Sequence, residues 1–364
     1  MKTIVIAHNY SEISFSAMSY HFAHYLANRG HRVVFISHNP YFSEKKILKI
    51  NSGEIILHSW STEKRPTTFG DFVWFSRIYF QYKPQIVIGH FVGSNITILL
   101  SKVFSFGKVQ SVEYYHTLSN QIILDLKKVT FKQRLLFFRK KLFYKFFCDK
   151  IICPSIAAKK DLISFFSVGK GIVLLNPMVD RFREKISIPK ESIVVSYLGR
   201  LDPSKGVIDL VKAFEKHQNN NPTSKIILNI AGSGKQSDEI ERMIKNNSSI
   251  HFFGPLPYNK IDEYLNQSHF TIIPSKFDNL PTVGLESLMN QTPLLISSAT
   301  GLADYLEEGK DCFKFTPSVD AIEELFGKIE SNTNNEQMSL NARNTFLNKF
   351  SISNYCEDLL KIME

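Results

Sequence analysis

Residues 270–298, FTIIPSKFDNLPTVGLESLMNQTPLLISS, constrain the fold of this chain more than any other stretch. Two short apolar runs, Phe270–Pro274 and Pro293–Ser297, flank a helical pattern from about Pro281 to Asn290. Strand, short loop, helix and strand make one βαβ unit, which calls for a parallel sheet. Pro281 suits the first helical turn, where a missing N–H costs nothing. The start of this helix, with Thr282 and Val283, points to the carboxyl edge of the sheet. Open α/β sheets bind ligands at that edge, and the unpaired N–H groups there favour anions. Asp278 stands in the loop before the helix and Glu286 on the helix, with seven residues between them.

The same alternation runs through the rest of the chain. In the first half Thr3–Ala7, His31–Ser37, Ile55–His58, Gln85–Gly89, Val109–Tyr115, Ile151–Pro154 and Ile172–Leu175 read as strands. Ser16–Arg29 reads as an amphipathic helix closed by Gly30. A second series follows the polar segment Asp180–Ser192, which reads as a linker. Its strands are Ile193–Leu198, Lys225–Ala231 and Ile250–Phe253, and its helices Val207–His217, Gln236–Asn246 and Lys260–Gln267. The expected class is α/β, with two Rossmann-like doubly wound parallel-sheet domains. Their expected bounds are 1–182 and 183–349, with a last helix, Ser353–Met363, inside 350–364.

Composition narrows the class. With 43% hydrophobic and 21% charged residues the chain is an ordinary globular protein. Its four cysteines, Cys148, Cys153, Cys312 and Cys356, form no CxxC pair, which fits a reducing cytoplasm and suggests neither zinc nor a disulfide framework. The opening MKTIVIAHNY has too short an apolar run for a signal peptide and reads as a buried strand. The apolar region Ile86–Phe106 contains His90, Gly93, Asn95 and Lys102, and reads as strand, loop and helix rather than a membrane span. The expected location is cytoplasmic.

Three further motifs sit at strand ends. Gly199-Arg200-Leu201-Asp202-Pro203-Ser204-Lys205-Gly206 lies between a strand and a helix. Gly232-Ser233-Gly234 follows another strand, where glycines allow close backbone approach. Tyr114-Tyr115-His116-Thr117 ends a strand of the first domain. Together with the acid–x7–Glu pair, this set resembles the retaining nucleotide-sugar glycosyltransferases of family four, the "group 1" transferases. That resemblance implies the GT-B architecture, two such domains facing a cleft, with the terminal helix crossing back to the first. It implies that Glu286 holds the ribose hydroxyls and that the first acid, usually Glu and here Asp278, meets the donor sugar. It places the nucleotide against Gly199, Gly232, Gly234, Leu256, Thr282 and Val283. His116 would face the donor sugar, with His8 and His90 as weaker candidates.

Departure of a nucleoside diphosphate leaves negative charge that a metal, or an Arg and a Lys, must neutralise. With no metal-ligand cluster in the sequence, Arg200 and Lys205 are the expected clamp, and neither metal nor cofactor is expected. The chain departs from the family pattern at Asn279 and Gln291, where glycine is usual, and in the glycine-free turn SEISFSAMS.

The net charge of +10 is concentrated between Lys127 and Lys150, where nine basic residues meet one acid, Asp149. At about 100° per residue, Phe131, Leu135, Phe138, Leu142 and Phe146 share one stripe, expected to pack on the core. Phe137 and Tyr144 fall on the opposite side, among Arg134, Lys140 and Lys141. Basic residues beside exposed aromatics suit an anionic membrane surface, and no nucleic-acid-binding motif accompanies them. The expected function is transfer of a sugar, UDP-linked, to a saccharide acceptor, free or lipid-linked, in cell-surface polysaccharide assembly on the inner face of the cytoplasmic membrane. The alternatives are a sugar-nucleotide epimerase on the same fold and a non-catalytic nucleotide-sugar binder.

Overall fold

The computed structural model describes residues 1–8, 17–38, 45–60, 66–90, 95–126, 128–185, 191–332 and 334–364. They form two compact units. Met1–His116, Val129–Val179 and Ile352–Glu364 make the first, and Thr117–Lys128 with Asp180–Ser351 the second.

In chain order the first half holds β1 (Thr3–Ala7), α1 (Ala17–Asn28), β2 (Arg32–His38), β3 (Lys46–Ile50), β4 (Gly53–Trp60), α2 (Phe69–Tyr82) and β5 (Ile86–Gly89). Then come α3 (Asn95–Phe104), β6 (Gln110–Tyr114), α4 (Ser119–Asp125), α5 (Phe131–Phe147), β7 (Lys150–Cys153), α6 (Ile156–Phe166) and β8 (Gly171–Val173). The first unit's sheet has the order β3-β4-β2-β1-β5-β6-β7-β8. Val5 pairs with Val34 on one side and Val87 on the other, both parallel. All five residues of β1 are buried, as expected for a strand covered by helices on both faces. The connection from β1 to β2 runs one way across the sheet, and those from β4 to β7 run the other way. Right-handed crossovers therefore put α1 on one face and α2, α3 and α5 on the opposite face. Neighbouring pairs in that layer, α2 with α3 and α3 with α5, pack side by side.

The second half holds β9 (Ile193–Leu198), α7 (Val207–Asn220), β10 (Ile226–Ala231), α8 (Ser237–Ile244), β11 (Ile250–Gly254), α9 (Ile261–Asn266), β12 (Phe270–Ile273) and α10 (Thr282–Met289). It continues with β13 (Leu294–Ser297), β14 (Cys312–Phe315), α11 (Val319–Glu330), α12 (Asn335–Lys349) and α13 (Ile352–Met363). The second unit's sheet is parallel, in the order β11-β10-β9-β12-β13-β14. Its strand order reverses at β9, between β10 and β12. The carboxyl ends of these three strands are thus where a ligand site is expected. The final helix α13 belongs to the first unit, where it packs on α1 and buries Tyr355, Cys356, Leu359 and Met363. The Tyr355 and Tyr114 hydroxyls meet at 2.5 Å.

The expected doubly wound class is the observed one, with local differences. Strand β3 was not read from the sequence. It is a half-exposed edge strand paired antiparallel to β4 through a turn at Asn51, whose φ is 49°. Only part of the expected linker is described, 186–190 lying outside, and 180–185 pack on the second unit rather than forming a loose connector. Also outside the described residues are Ser16, most of the turn SEISFSAMS, Gly93 and Lys127.

The largest correction concerns α5. The stripe Phe131, Leu135, Phe138, Leu142 and Phe146, expected to face the core, is exposed. Tyr144, expected outside, is buried with Phe143 and packs edge-on against Tyr115 and Phe166. Phe137 is half-buried against Phe165. Lys140 turns inward over the same aromatic group, 5.4 Å from the Tyr115 and Tyr144 ring centres.

Candidate functional site

A cavity of about 380 Å³ opens at the carboxyl ends of β9, β10 and β12. The sequence GRLDPSKG makes the first wall. After β9 the chain passes Gly199, turns through a 3₁₀ segment, Pro203–Lys205, and enters α7 through Gly206 in the left-handed region. This sets Arg200 and Lys205 on the cavity. Gly232 forms the second wall, and a side chain there is excluded. Its φ is 141°, and a Cβ would lie 1.8 Å from the Gly199 carbonyl oxygen. Leu256, in the turn after β11, and the first residues of α10, Thr282 and Val283, complete the lining with Asp278 and Glu286. The partial positive end of α10 therefore borders the cavity.

Nine of the expected nucleotide-contacting positions line this one cavity; Gly234 does not. Its backbone packs on Leu201, where a Cβ would lie 2.5 Å from the carbonyl oxygen, so glycine there serves the close approach of two loops.

The charges are cross-paired. Lys205 Nζ lies 2.5 Å from Asp278 Oδ2, and the Asn279 N–H donates to Asp278 Oδ1 at 2.9 Å. Arg200 pairs with Asp202, and its second amino group lies 3.5 Å from Asp125 at the end of α4. Glu286 is buried, which pushes its carboxyl up to about 7 against the opposing pull of Arg181. Arg181 Nη2 approaches Glu286 Oε1 at 3.5 Å while its fork donates twice to Asp262, at 2.9 and 3.0 Å. Neither Arg181 nor Asp125 was expected from the sequence. Arg181 lies 81 residues from Asp262 and 105 from Glu286, so no local pattern marks it.

In the first unit His116 follows β6, and His8 and His90 directly follow β1 and β5. Their rings stack, His8 on His90 at 4.3 Å and His90 on Tyr114 at 3.9 Å, with His116 5.3 Å from Tyr114. His116 retains some exposed surface, but its ring nitrogens are buried. Burial pushes the His8 and His116 imidazoles down to about 3, so both are neutral at pH 7.

Residues 16–183 match the family model "Glycosyltransferase Family 4", and residues 178–345 match "Glycosyl transferases group 1". An uncharacterised glycosyltransferase of Methanocaldococcus jannaschii is 24% identical over 60% of this chain and 57% of its own length. A D-inositol 3-phosphate glycosyltransferase of Acidothermus cellulolyticus is 27% identical over 36% of this chain and 31% of its own. The matches thus span less than two thirds of these relatives. Among solved structures, sucrose-phosphate synthase of Thermosynechococcus elongatus superposes with a TM-score of 0.78 at 14% identity, covering 100% of this chain and 98% of that one. HepE of Anabaena in complex with UDP gives 0.71 at 12%, covering 100% and 99%. These structures share the fold, two parallel-sheet α/β domains of GT-B type. The chain belongs to the family-four, group 1 glycosyltransferases.

Proposed function

We propose that this protein is a retaining, metal-independent glycosyltransferase that moves a sugar from a UDP-sugar to a saccharide acceptor. The supporting observation is the second unit's cavity, where two cations, two carboxylates and a helix N-terminus meet at the sheet's switch point. Arg200 and Lys205 would take the diphosphate, and Glu286, ionised, the ribose hydroxyls. Asp278 would meet the donor sugar from its pair with Lys205. The departing diphosphate gains charge at the leaving oxygen, which two fixed cations stabilise without a metal. Front-face attack, with that diphosphate taking the acceptor's proton, follows from the family resemblance. The choice of uracil draws support from the neighbours crystallised with UDP or UDP-glucose. A lipid-linked saccharide acceptor, used in cell-surface polysaccharide assembly, fits the exposed basic and apolar face of the first unit. None of the described helices is long and apolar enough to cross a membrane, so attachment there would be peripheral.

The test is a panel of UDP-, GDP- and ADP-sugars, read by thermal shift and by release of free nucleoside diphosphate. A ligand at 100 times its dissociation constant stabilises by about 2.7 kcal/mol. Stabilisation by UDP-sugars with release of UDP is the expected result. Release of an epimerised sugar nucleotide would move the protein to the epimerases. Binding without any turnover would make it a binder, the reading to which Asp278 in place of Glu lends weight.

A further inference from the structure

We propose that the layer formed by α2, α3 and α5 docks on an anionic lipid bilayer, its aromatic side chains inserting among acyl chains and its basic side chains meeting headgroup phosphates. This deepens the membrane reading above and rests on it, but not on the chemistry of the cavity.

The outer side of a helix layer on a doubly wound sheet normally faces water and is polar. Here it is apolar on all three helices. Helix α2 exposes Phe69, Phe72 and Phe80, positions that share one helical face. Helix α3 exposes Val103 and, in the turn after it, Phe106. The α5 stripe adds the five residues named above. Phe69 is 81% exposed, Phe131 83% and Phe106 93%. Phe106 also has a φ of 53°, a left-handed conformation that bulky residues rarely adopt. Right-handed crossovers place the three helices on the same side of the sheet, so these side chains look outward together. Between α2 and α3 runs a groove of about 410 Å³, lined by Tyr79, Phe80 and Phe104 with Lys83 and Lys108. A groove of that make-up suits an acyl chain beside a phosphate.

Charge selects the occupant. Of the eight basic residues on the three helices, Lys140 turns inward and Lys102 is paired with Asp149, which leaves six, and the one acid on these helices, Asp71, is buried in the capping box of α2. Two copies of so basic a face repel, which disfavours self-association. A nucleic-acid duplex would answer the charge but offers no apolar phase for the exposed rings. A bilayer with anionic headgroups answers both.

Flotation with vesicles of phosphatidylcholine containing about 30% phosphatidylglycerol tests the proposal. The full chain should float at about 0.1 M salt and be released at about 1 M. It should not float with phosphatidylcholine alone. Phe106→Ser with Phe131→Ser should lower partition about tenfold or more, since each ring leaves an apolar phase. Replacing Lys132, Arg134, Arg139 and Lys145 by Gln should lower it about a hundredfold. Both variants should keep the wild-type melting temperature and release of UDP. The proposal is overturned if wild type stays unbound at low salt, or if both variants float as well as wild type. It is equally overturned if the two Phe substitutions instead dissolve a dimer, or if duplex DNA competes with the vesicles through the same rings. Loss of UDP release with flotation intact would count against the cavity and not against this face.

Discussion

The two units set side chains at the carboxyl edge of the same kind of sheet, yet one edge is uncharged where the other carries paired charges of both signs. At the first, His8, His90 and His116 stack with Tyr114, and burial holds His8 and His116 neutral. Such an edge offers hydrogen bonds and ring faces without charge. At the second, Arg200, Lys205, Asp278 and Glu286 line one cavity and are paired with one another or with neighbouring acids and Arg181. On the proposed function, that edge would take a diphosphate and a ribose, and the first a sugar. The fold supplies the place, and the side chains decide the chemistry.

The strongest way to break this contrast is to remove a cation from the second edge. Arg200→Ala should lower turnover about 10²–10³-fold, the usual cost of losing an electrostatic stabiliser. Its loss also strands Asp202, whose side chain is only 8% exposed, so a modest fall in melting temperature should accompany the loss of turnover. Lys205→Met should cost activity as much and stability too, because it strands the Asp278 carboxylate with only 10% side-chain exposure. Steady-state rates with a UDP-sugar decide this; activity within threefold of wild type in Arg200→Ala would remove the arginine from the clamp.

The next effect concerns Glu286. Its carboxyl is raised to about 7 in the folded chain, from an ordinary value of 4.5, chiefly by burial. The folded state therefore binds the proton more tightly than the unfolded one. Stability falls as pH rises from about 4.5 to about 7, and above that the full cost is present. Glu286→Gln should thus stabilise the protein at pH 8 by on the order of 2–3 kcal/mol and have little effect at pH 4.5. Affinity for a UDP-sugar should move the other way. It should rise from pH 6 to pH 8 in wild type, as the carboxylate forms, and be low and flat in Glu286→Gln. Denaturant melts and titrations at both pH values read the two effects separately.

The smallest expected effect tests a departure from the family pattern. Gln291 follows α10 with a φ of 54°, where a glycine is usual. Gln291→Gly should gain roughly 0.5–1 kcal/mol by removing the left-handed penalty. It should leave UDP affinity unchanged, since residue 291 does not line the cavity.

What could be read in advance follows the physics of each element. Strands such as Thr3–Ala7 and Ile193–Leu198 are short and mostly apolar, and both stood where expected. The loop proposed to meet the diphosphate was legible because Gly199, Arg200, Lys205 and Gly206 fall within one eight-residue stretch between a strand and a helix. Arg181 was not, because its partners Asp262 and Glu286 come together only through the fold. Helix α5 shows a different limit. Periodicity finds a stripe, but apolar residues occur on every side of this helix and basic residues are spread among them. Polarity then cannot say which side meets the sheet, and packing chose Phe143 and Tyr144. Strand β3, half-exposed and carrying Lys46 and Lys49, has the composition of an edge and gave too weak an apolar signal.

The central claim is that the second unit's cavity holds the nucleotide. Amide hydrogen exchange with and without UDP tests it directly, without any substitution. Protection should appear in Gly199–Gly206, at Gly232 and in residues 278–286, while α2 and α3 stay unchanged. Protection confined to the first unit, or none at saturating UDP, would contradict the account.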